Sequence, residues 1–359
     1  MSAFINRIGT ATPAHDIHAA FVAYAGATLP DEKSRALFNR MASRAGIAHR
    51  FSHLRPGDPA SGDVDADGFY RNGCFPGTAA RMAAYGPQAL TLALAAIAEL
   101  APDPAEITHL IIASCTGFTA PGLDVQLVAA LGLRRSVART LIGFMGCAAA
   151  IPALRAADHI LRADPRARVL VVNVELCSLH LQETHDIETA LSLLLFGDGA
   201  SAALVTTDPT GIALGDFRAL ILPDSAELIT WTIGDQGFVM HLSGQVPPRI
   251  ATALRAEANS LCPAGLLRGG AASDFALWAV HGGGRTVLDA VEQGLALPAD
   301  SLRFSRCVLH DHGNMSSATI MFVLARMLAQ SAHGPGLAMA FGPGMVAETF
   351  SFHITAQAG

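Results

Sequence analysis

The stretch that most narrows the possible folds is Arg168-Val-Leu-Val-Val-Asn-Val174. It is continuously apolar rather than alternating. Such a run is a strand buried on both faces of its sheet, with helices packed above and below it. The order of apolar run, Gly-rich turn and helical pattern then recurs along the chain. His109-Leu-Ile-Ile-Ala-Ser-Cys-Thr116 leads into a Gly/Pro turn at 117–122 and a helix over 123–131. Residues 275–280 lead into His281-Gly-Gly-Gly284 and a helix over 285–295. A chain of 359 residues has room for two such series, which places the halves at 1–215 and 216–359. The order implies an α/β protein with mostly parallel strands. In such sheets ligands sit outside the carboxyl ends of the strands.

Further elements follow from periodicity and breakers. A first strand covers 3–10. A helix covers 31–45, with Leu37, Phe38 and Met41 on one face and Arg40 and Arg44 one turn apart on another. Residues 55–79 are rich in Gly, Pro and Asp and read as a loop before an Ala/Leu helix over 79–100. The segment 194–206 holds Leu-Leu-Phe-Gly-Asp-Gly-Ala and a strand. His310-Asp-His-Gly-Asn314 reads as a loop before a helix over 316–329, and 337–345 is a strand ending in a turn.

Composition excludes several classes. The 51% hydrophobic content is largely Ala-rich, and the longest apolar run, 89–100, is interrupted by Thr91 and Glu99 and is too short to span a bilayer. No apolar signal segment follows Met1. The six cysteines form no CxxC pair and no disulfide framework, which fits a reducing cytoplasm. A net charge of −6 argues against nucleic-acid binding. The basic segment between Lys33 and Arg55 reads as a solvated helix face or as a phosphate contact.

Cys147 lies in Leu141-Ile-Gly-Phe-Met-Gly-Cys-Ala-Ala-Ala150. Gly143 and Gly146 permit a bend there, and Leu154, Ala157, Ile160 and Leu161 recur at helical spacing after it. At a helix N-terminus, free N–H groups and the dipole favour a thiolate. A buried structural thiol is the alternative on this stretch alone. His281 ends a strand and precedes three glycines; Asn314 follows Gly313. Cysteine as nucleophile, histidine as its partner and an amide as a non-titrating oxyanion donor form a workable set, although a core histidine is an alternative for His281. His310 with His312, and His49 with His53, lack the Cys or carboxylate partners of a metal site. Gly197-Asp198-Gly199 lacks the Lys and Ser/Thr of a phosphate loop and reads as a turn.

Together these contexts resemble the type III polyketide synthases, the chalcone synthase-like branch of the thiolase-fold condensing enzymes. The matching pieces are Gly146-Cys147 before a small-residue helix, Leu195-Phe-Gly-Asp-Gly-Ala200, Trp278-Ala-Val-His281, Gly313-Asn-Met-Ser-Ser317 and Phe341-Gly-Pro-Gly344. The interval between His281 and Asn314 is also that of the family. The resemblance implies a layered αβαβα thiolase fold of two pseudo-duplicated halves, working as a homodimer. It implies an acyl group on Cys147, taken from an acyl-CoA starter, and malonyl-CoA held by His281 and Asn314 during decarboxylation. No cofactor is implied, because the CoA thioesters are substrates.

The same resemblance makes Phe196 a gate between the CoA tunnel and the cavity. It places Met240 at a second gate that is often Phe, and Trp231 where plant chalcone synthases carry a cavity-shaping Gly. Cys177 and His180 fall where the plant enzymes carry Thr; Cys115 and Ser316 join them in lining the cavity. Arg40 and Arg44 match two basic CoA-binding positions, while Leu37 replaces a third. Ala120 matches a Met that crosses into the partner's cavity. The phrase Val174-Glu-Leu-Cys-Ser-Leu-His180 is similar to bacterial alkylresorcinol and alkylpyrone synthases, which implies a fatty acyl starter and an alkylpyrone or alkylresorcinol product. A malonyl-primed synthase making a phloroglucinol or tetrahydroxynaphthalene is the alternative product class, and a ketoacyl synthase III-like condensing enzyme is another reading. Two further classes are a Cys/His/Asn hydrolase, whose usual aromatic and Gln contexts are missing around Cys147, and a non-catalytic thiolase-fold subunit, which commonly lacks one of the three residues present here.

Overall fold

The computed structural model describes residues 2–58, 63–260 and 262–355. Of the expected loop over 55–79, residues 59–62 lie outside the described residues. In chain order the strands are β1 (Phe4–Ala11), β2 (His15–Asp16), β3 (Phe51–Ser52), β4 (His109–Ser114), β5 (Ala138–Gly143), β6 (Val169–Leu176), β7 (Asp198–Thr206), β8 (Ile212–Ile221), β9 (Ile229–Gly234), β10 (Gly237–Leu242), β11 (Leu277–Val280), β12 (Gly334–Gly342) and β13 (Val346–Ile354). The helices are α1 (His18–Thr28), α2 (Glu32–Ser43), α3 (Thr78–Leu100), α4 (Leu123–Leu131), α5 (Ala150–Ala163), α6 (Ile187–Leu193), α7 (Val246–Ser260), α8 (Arg285–Leu295), α9 (Arg303–His312) and α10 (Thr319–Ala329).

A nine-stranded sheet runs in the order β11-β12-β13-β8-β1-β7-β6-β4-β5. Within it, β4, β6, β7 and β1 repeat the order and directions of β11, β12, β13 and β8: one parallel pairing, then two antiparallel ones. The halves join where β1 meets β8 at Phe4↔Ala213 and Ile5↔Ile212. β8 runs through the expected boundary between residues 215 and 216. In each half a helix precedes the second strand of the repeat, α5 before β6 and α10 before β12.

Helices α5 and α10 explain the layering. Both are apolar around most of their circumference, with Ala150–Leu154 and Thr319–Leu324 buried without a break, and a helix of that kind belongs inside a core. They share one cluster with side chains of β4, β6, β7, β12 and β13. Helix α3 covers the outer side of one half-sheet through Ala89, Leu92, Ala93, Ala96 and Ile97, with α4 beside it. Helices α7 and α8 cover the other. This is the expected αβαβα layering with duplicated halves.

Several expectations need correction. The large sheet is mixed: β4–β5, β4–β6 and β11–β12 are parallel, and the other ladders are antiparallel. A continuous apolar run reports burial on both faces, and the layered helices bury antiparallel strands as well as parallel ones. His310, Asp311 and His312 are not a loop; they form the last turn of α9, whose Phe304, Ser305, Val308 and Leu309 are buried. On α2 the buried residues are Phe38 and Ala42, while Met41 is 42% exposed. Among the described residues no helix is long and apolar enough to cross a membrane.

Candidate active site

The duplication places the three candidate residues in related positions. Cys147 sits in a single 3-10 turn, Gly146–Ala148, immediately before α5. Asn314 sits just ahead of the turn Ser316–Ala318 that opens α10. His281 follows β11 as Cys115 follows β4. All four line one cavity, together with Phe196, Trp231, Met240, Cys177, His180 and Ser316. Arg40 and Arg44 do not line it; they lie on the exposed side of α2 and its C-terminal cap. Ala120 is exposed in the turn after β4 and is also outside the cavity.

Backbone geometry at the site is demanding. Gly146 has φ of 55°, and a Cβ there would lie 2.5 Å from Pro343 Cδ. The other left-handed residue of this bend is Phe144, with φ of 56°, rather than Gly143. Ser316 and Met345 also adopt positive φ, at 47° and 54°. Non-glycine residues held in this region store about 1 kcal/mol or more each, and they cluster at functional sites.

Burial dominates the protonation of the pair. It pushes the Cys147 thiol up to about 11, with hydrogen bonds to Ser316 and Asn314 opposing in part. It drives the His281 imidazole down to about 3. Both shifts favour the uncharged forms, so burial opposes the thiolate that a helix N-terminus favours. The backbone N–H of His281 donates to Met339 O at 2.8 Å, and among the described residues neither ring nitrogen has a hydrogen-bond partner. The ring is therefore free to exchange a proton with a reacting group.

Asn314 is held on both sides. Its backbone N–H donates to Leu195 O at 2.8 Å, and its carbonyl accepts from the Gly197 N–H at 3.0 Å. Its Oδ1 accepts the Ser316 N–H at 2.8 Å and lies 4.0 Å from Cys147 Sγ. This fixes the amide orientation: one Nδ2 proton reaches Gly283 O at 3.4 Å, and among the described residues the other has no hydrogen-bond partner. The preceding Gly313, with φ of 68° and ψ of −157°, allows the chain to pass between Arg50 and Leu195.

The walls come from two sources. In the hairpin β9–β10, Trp231 lies directly opposite Met240, and Ile229 opposite Leu242. Cross-strand partners share a face, so these four apolar side chains line the cavity together. Trp231 Nε1–H donates to Cys115 O at 2.8 Å. His180 stacks on Phe238 with centroids 4.2 Å apart and meets Trp231 edge-on at 5.2 Å. Its Nε2–H donates to Thr116 O at 2.7 Å, while Nδ1 accepts the Phe238 N–H at 2.9 Å. Both nitrogens are used in the neutral tautomer, and burial lowers its pKa to about 4.

Sequence reasoning missed two residues with structural consequences. Glu175 is fully buried on β6, and among the described residues no Lys or Arg forms an ion pair with it. It accepts from the Cys115 N–H at 3.0 Å, the Thr116 hydroxyl at 2.8 Å and the Ser317 hydroxyl, and burial raises its pKa. A charged residue inside a doubly buried strand was the available signal. Arg50 is 1% exposed. It donates to Phe196 O at 2.7 Å and to Leu193 O at 3.1 Å at the end of α6. Arg50 thereby anchors the segment that pairs with Asn314. Nothing local in the sequence separates it from the other basic residues of its segment.

The layered, duplicated fold with a cysteine, a histidine and an asparagine gathered in one cavity defines a thiolase-type condensing enzyme. The comparisons narrow this further. Residues 82–209 match the N-terminal domain of the chalcone and stilbene synthases, and residues 217–355 match the C-terminal domain. The chain belongs to that family, and it is a type III polyketide synthase, a decarboxylating acyltransferase. It is 34% identical over 279 residues to the alpha-pyrone synthesis polyketide synthase-like Pks18 of Mycobacterium tuberculosis, covering 75% of this chain and 70% of that one. It is 36% identical over 278 residues to the bisdemethoxycurcumin synthase of Oryza sativa subsp. japonica, covering 73% and 69%. The crystal structure of PKS-I from the brown alga Ectocarpus siliculosus superposes with a TM-score of 0.86 at 29% identity, covering 99% and 98%.

Proposed function

We propose that this enzyme loads a fatty acyl group from its CoA thioester onto Cys147, extends it with malonyl units and releases an alkylpyrone or alkylresorcinol. The observation that carries this reading is the convergence of Cys147, His281 and Asn314 on one cavity whose walls are mostly apolar. The similarity to Pks18 supports the pyrone; a comparable identity to a curcuminoid synthase means that similarity alone does not choose the product.

The proposed steps follow from the uncharged resting pair. His281 takes the Cys147 proton as sulfur attacks the starter carbonyl; the bond to CoA sulfur breaks, and the CoA thiolate recovers the proton. Malonyl-CoA then places its thioester oxygen against the free Nδ2–H of Asn314 and the His281 ring. CO2 leaves, its bonding electrons pass into the enolate, and these two donors stabilise the oxygen charge. The enolate carbon attacks the Cys147 thioester, forming the C–C bond and releasing the cysteine thiolate. Phe196, beside Asn314, offers the malonyl carboxylate an apolar wall that disfavours its charge. No cofactor enters the scheme. Arg40 and Arg44 take the CoA phosphates outside the cavity, and the six unpaired cysteines support the cytoplasm as its compartment.

The enzyme acts as a homodimer through β5, an edge strand of the large sheet. Around it Leu141 is 55% exposed, Phe118 47% and Met145 37%, an apolar edge that a second copy would cover.

Mass spectrometry of products from malonyl-CoA with a ladder of acyl-CoAs tests the reading. Alkylated pyrones or resorcinols from long starters are expected. An aromatic product from malonyl-CoA alone, with long starters ignored, would replace the fatty-starter version by a malonyl-primed one. Neither CO2 nor polyketide would remove the condensing role.

A further inference from the structure

Away from Cys147, the cavity wall carries hydroxyls tied to a buried carboxylate. Asp198 is fully buried at the start of β7, and among the described residues no Lys or Arg pairs with it. Its Oδ1 accepts the Ser178 N–H at 2.8 Å, and its Oδ2 accepts the Ser178 hydroxyl at 2.7 Å. His53 adds its backbone N–H at 3.3 Å and Nδ1 at 3.2 Å. Ser52 Oγ lies 2.7 Å from Ser178 Oγ and accepts the Leu54 N–H at 3.0 Å. Ser52 and Ser178 both line the cavity; Asp198 and His53 do not.

A carboxylate only accepts hydrogen bonds, and a hydroxyl has one proton and two lone pairs. Ser178 therefore commits its proton to Asp198, which leaves its oxygen to accept from Ser52. Ser52 commits its own proton to Ser178. With both protons spent, the pair can offer the cavity lone pairs but no donor. A ligand carbonyl or carboxylate finds nothing there to bind, whereas a ligand O–H finds an acceptor.

We propose that Ser52 and Ser178 form a hydroxyl-accepting subsite in the cavity wall, which holds an O–H of the bound acyl chain. This rests on the reading that the cavity houses such a chain. The hydroxyl has two possible sources, a hydroxylated starter or the enol of the extended chain.

The test assays the intact enzyme with pairs of acyl-CoAs of equal length, unsubstituted or hydroxylated along the chain, and compares Ser178→Ala, Ser52→Ala and Ser178→Thr with the parent. One net hydrogen bond corresponds to roughly a five- to tenfold preference. If the starter supplies the hydroxyl, the parent favours one hydroxylated isomer by about that factor in kcat/KM; Ser178→Ala erases the ratio and Ser178→Thr keeps it. If the enol supplies it, starter preference is flat, and Ser178→Ala shifts the ratio of fully extended to prematurely released product by a similar factor, with Thr again restoring it. Ratios are insensitive to the fraction of folded enzyme. Should Ser178→Ala fail to fold on thermal melting, Ser52→Ala carries the same test, since Ser52 does not touch Asp198. The subsite is overturned if neither ratio moves in these variants. A parent that turns over no acyl-CoA overturns the acyl-chain reading, and the subsite with it.

Discussion

Gly313 shows how one residue can carry the geometry of a site. Its φ of 68° and ψ of −157° lie outside the regions open to other residues. A Cβ there would meet Arg50 Cγ at 2.8 Å and Leu195 O at 2.9 Å. Gly313→Ala is expected to destabilise the fold by about 2–3 kcal/mol and to displace Asn314. Differential scanning calorimetry should show the lower melting temperature, and malonyl-CoA decarboxylation should fall more steeply than acylation of Cys147. Equal losses in both would make Gly313 a purely structural residue. At this scale the candidate site was readable because its residues sit in distinctive local contexts: His281 before three glycines, Asn314 between Gly313 and Met315. Glu175, Arg50 and the Ser52–Ser178–Asp198 chain were not readable as a site. Their significance depends on partners more than a hundred positions away or on burial that no short window reveals, as with Ser52 and Ser178.

At the scale of elements, periodicity located some helices and strands but left α1, α6, α7, α9, β5, β8 to β10 and β13 unassigned, and it gave strand directions poorly. Residues 123–131 form a helix with the expected ends, and the apolar run at 168–174 is the core of β6. Strand direction is set by how the duplicated halves close onto β1 and β8, which leaves no mark in either strand's composition. The polar His310-Asp-His312 segment hid the end of α9, because the buried face of that helix lies earlier, at Phe304 and Val308. β5 shows the opposite case. Its apolar Leu141 is 55% exposed at the sheet edge. An unpaired edge with apolar side chains invites pairing. Leu141→Asp is expected to convert a dimer into a monomer, read by light scattering coupled to size exclusion. A parent that is already monomeric at micromolar concentration would rule the edge out as an interface.

For the whole molecule, folding stability should depend on its buried neutral histidines. His180 has a folded pKa of about 4 against an unfolded value near 6.5. The unfolded chain therefore binds the extra proton between those values, so stability from this residue is full above pH 6.5 and declines as the pH falls toward 4. At pH 5 the loss is about 2 kcal/mol. Urea unfolding at pH 7.5 and pH 5 should show a smaller drop for His180→Gln than for the parent; an identical drop would contradict the neutral tautomer that the Thr116 and Phe238 contacts define. The layered architecture was legible as a whole because the family motifs span both halves, whereas the continuous joining of the halves through β1 and β8 was not. The central claim is that Cys147 is the acyl acceptor, that His281 serves both loading and decarboxylation, and that Asn314 acts mainly on malonyl-CoA. Intact-mass spectrometry after mixing the enzyme with one long acyl-CoA tests it most directly. One added acyl group is expected on the parent and on Asn314→Ala, and none on Cys147→Ala. Acylation that persists in Cys147→Ala, or that vanishes in a folded Asn314→Ala while decarboxylation continues, would contradict it.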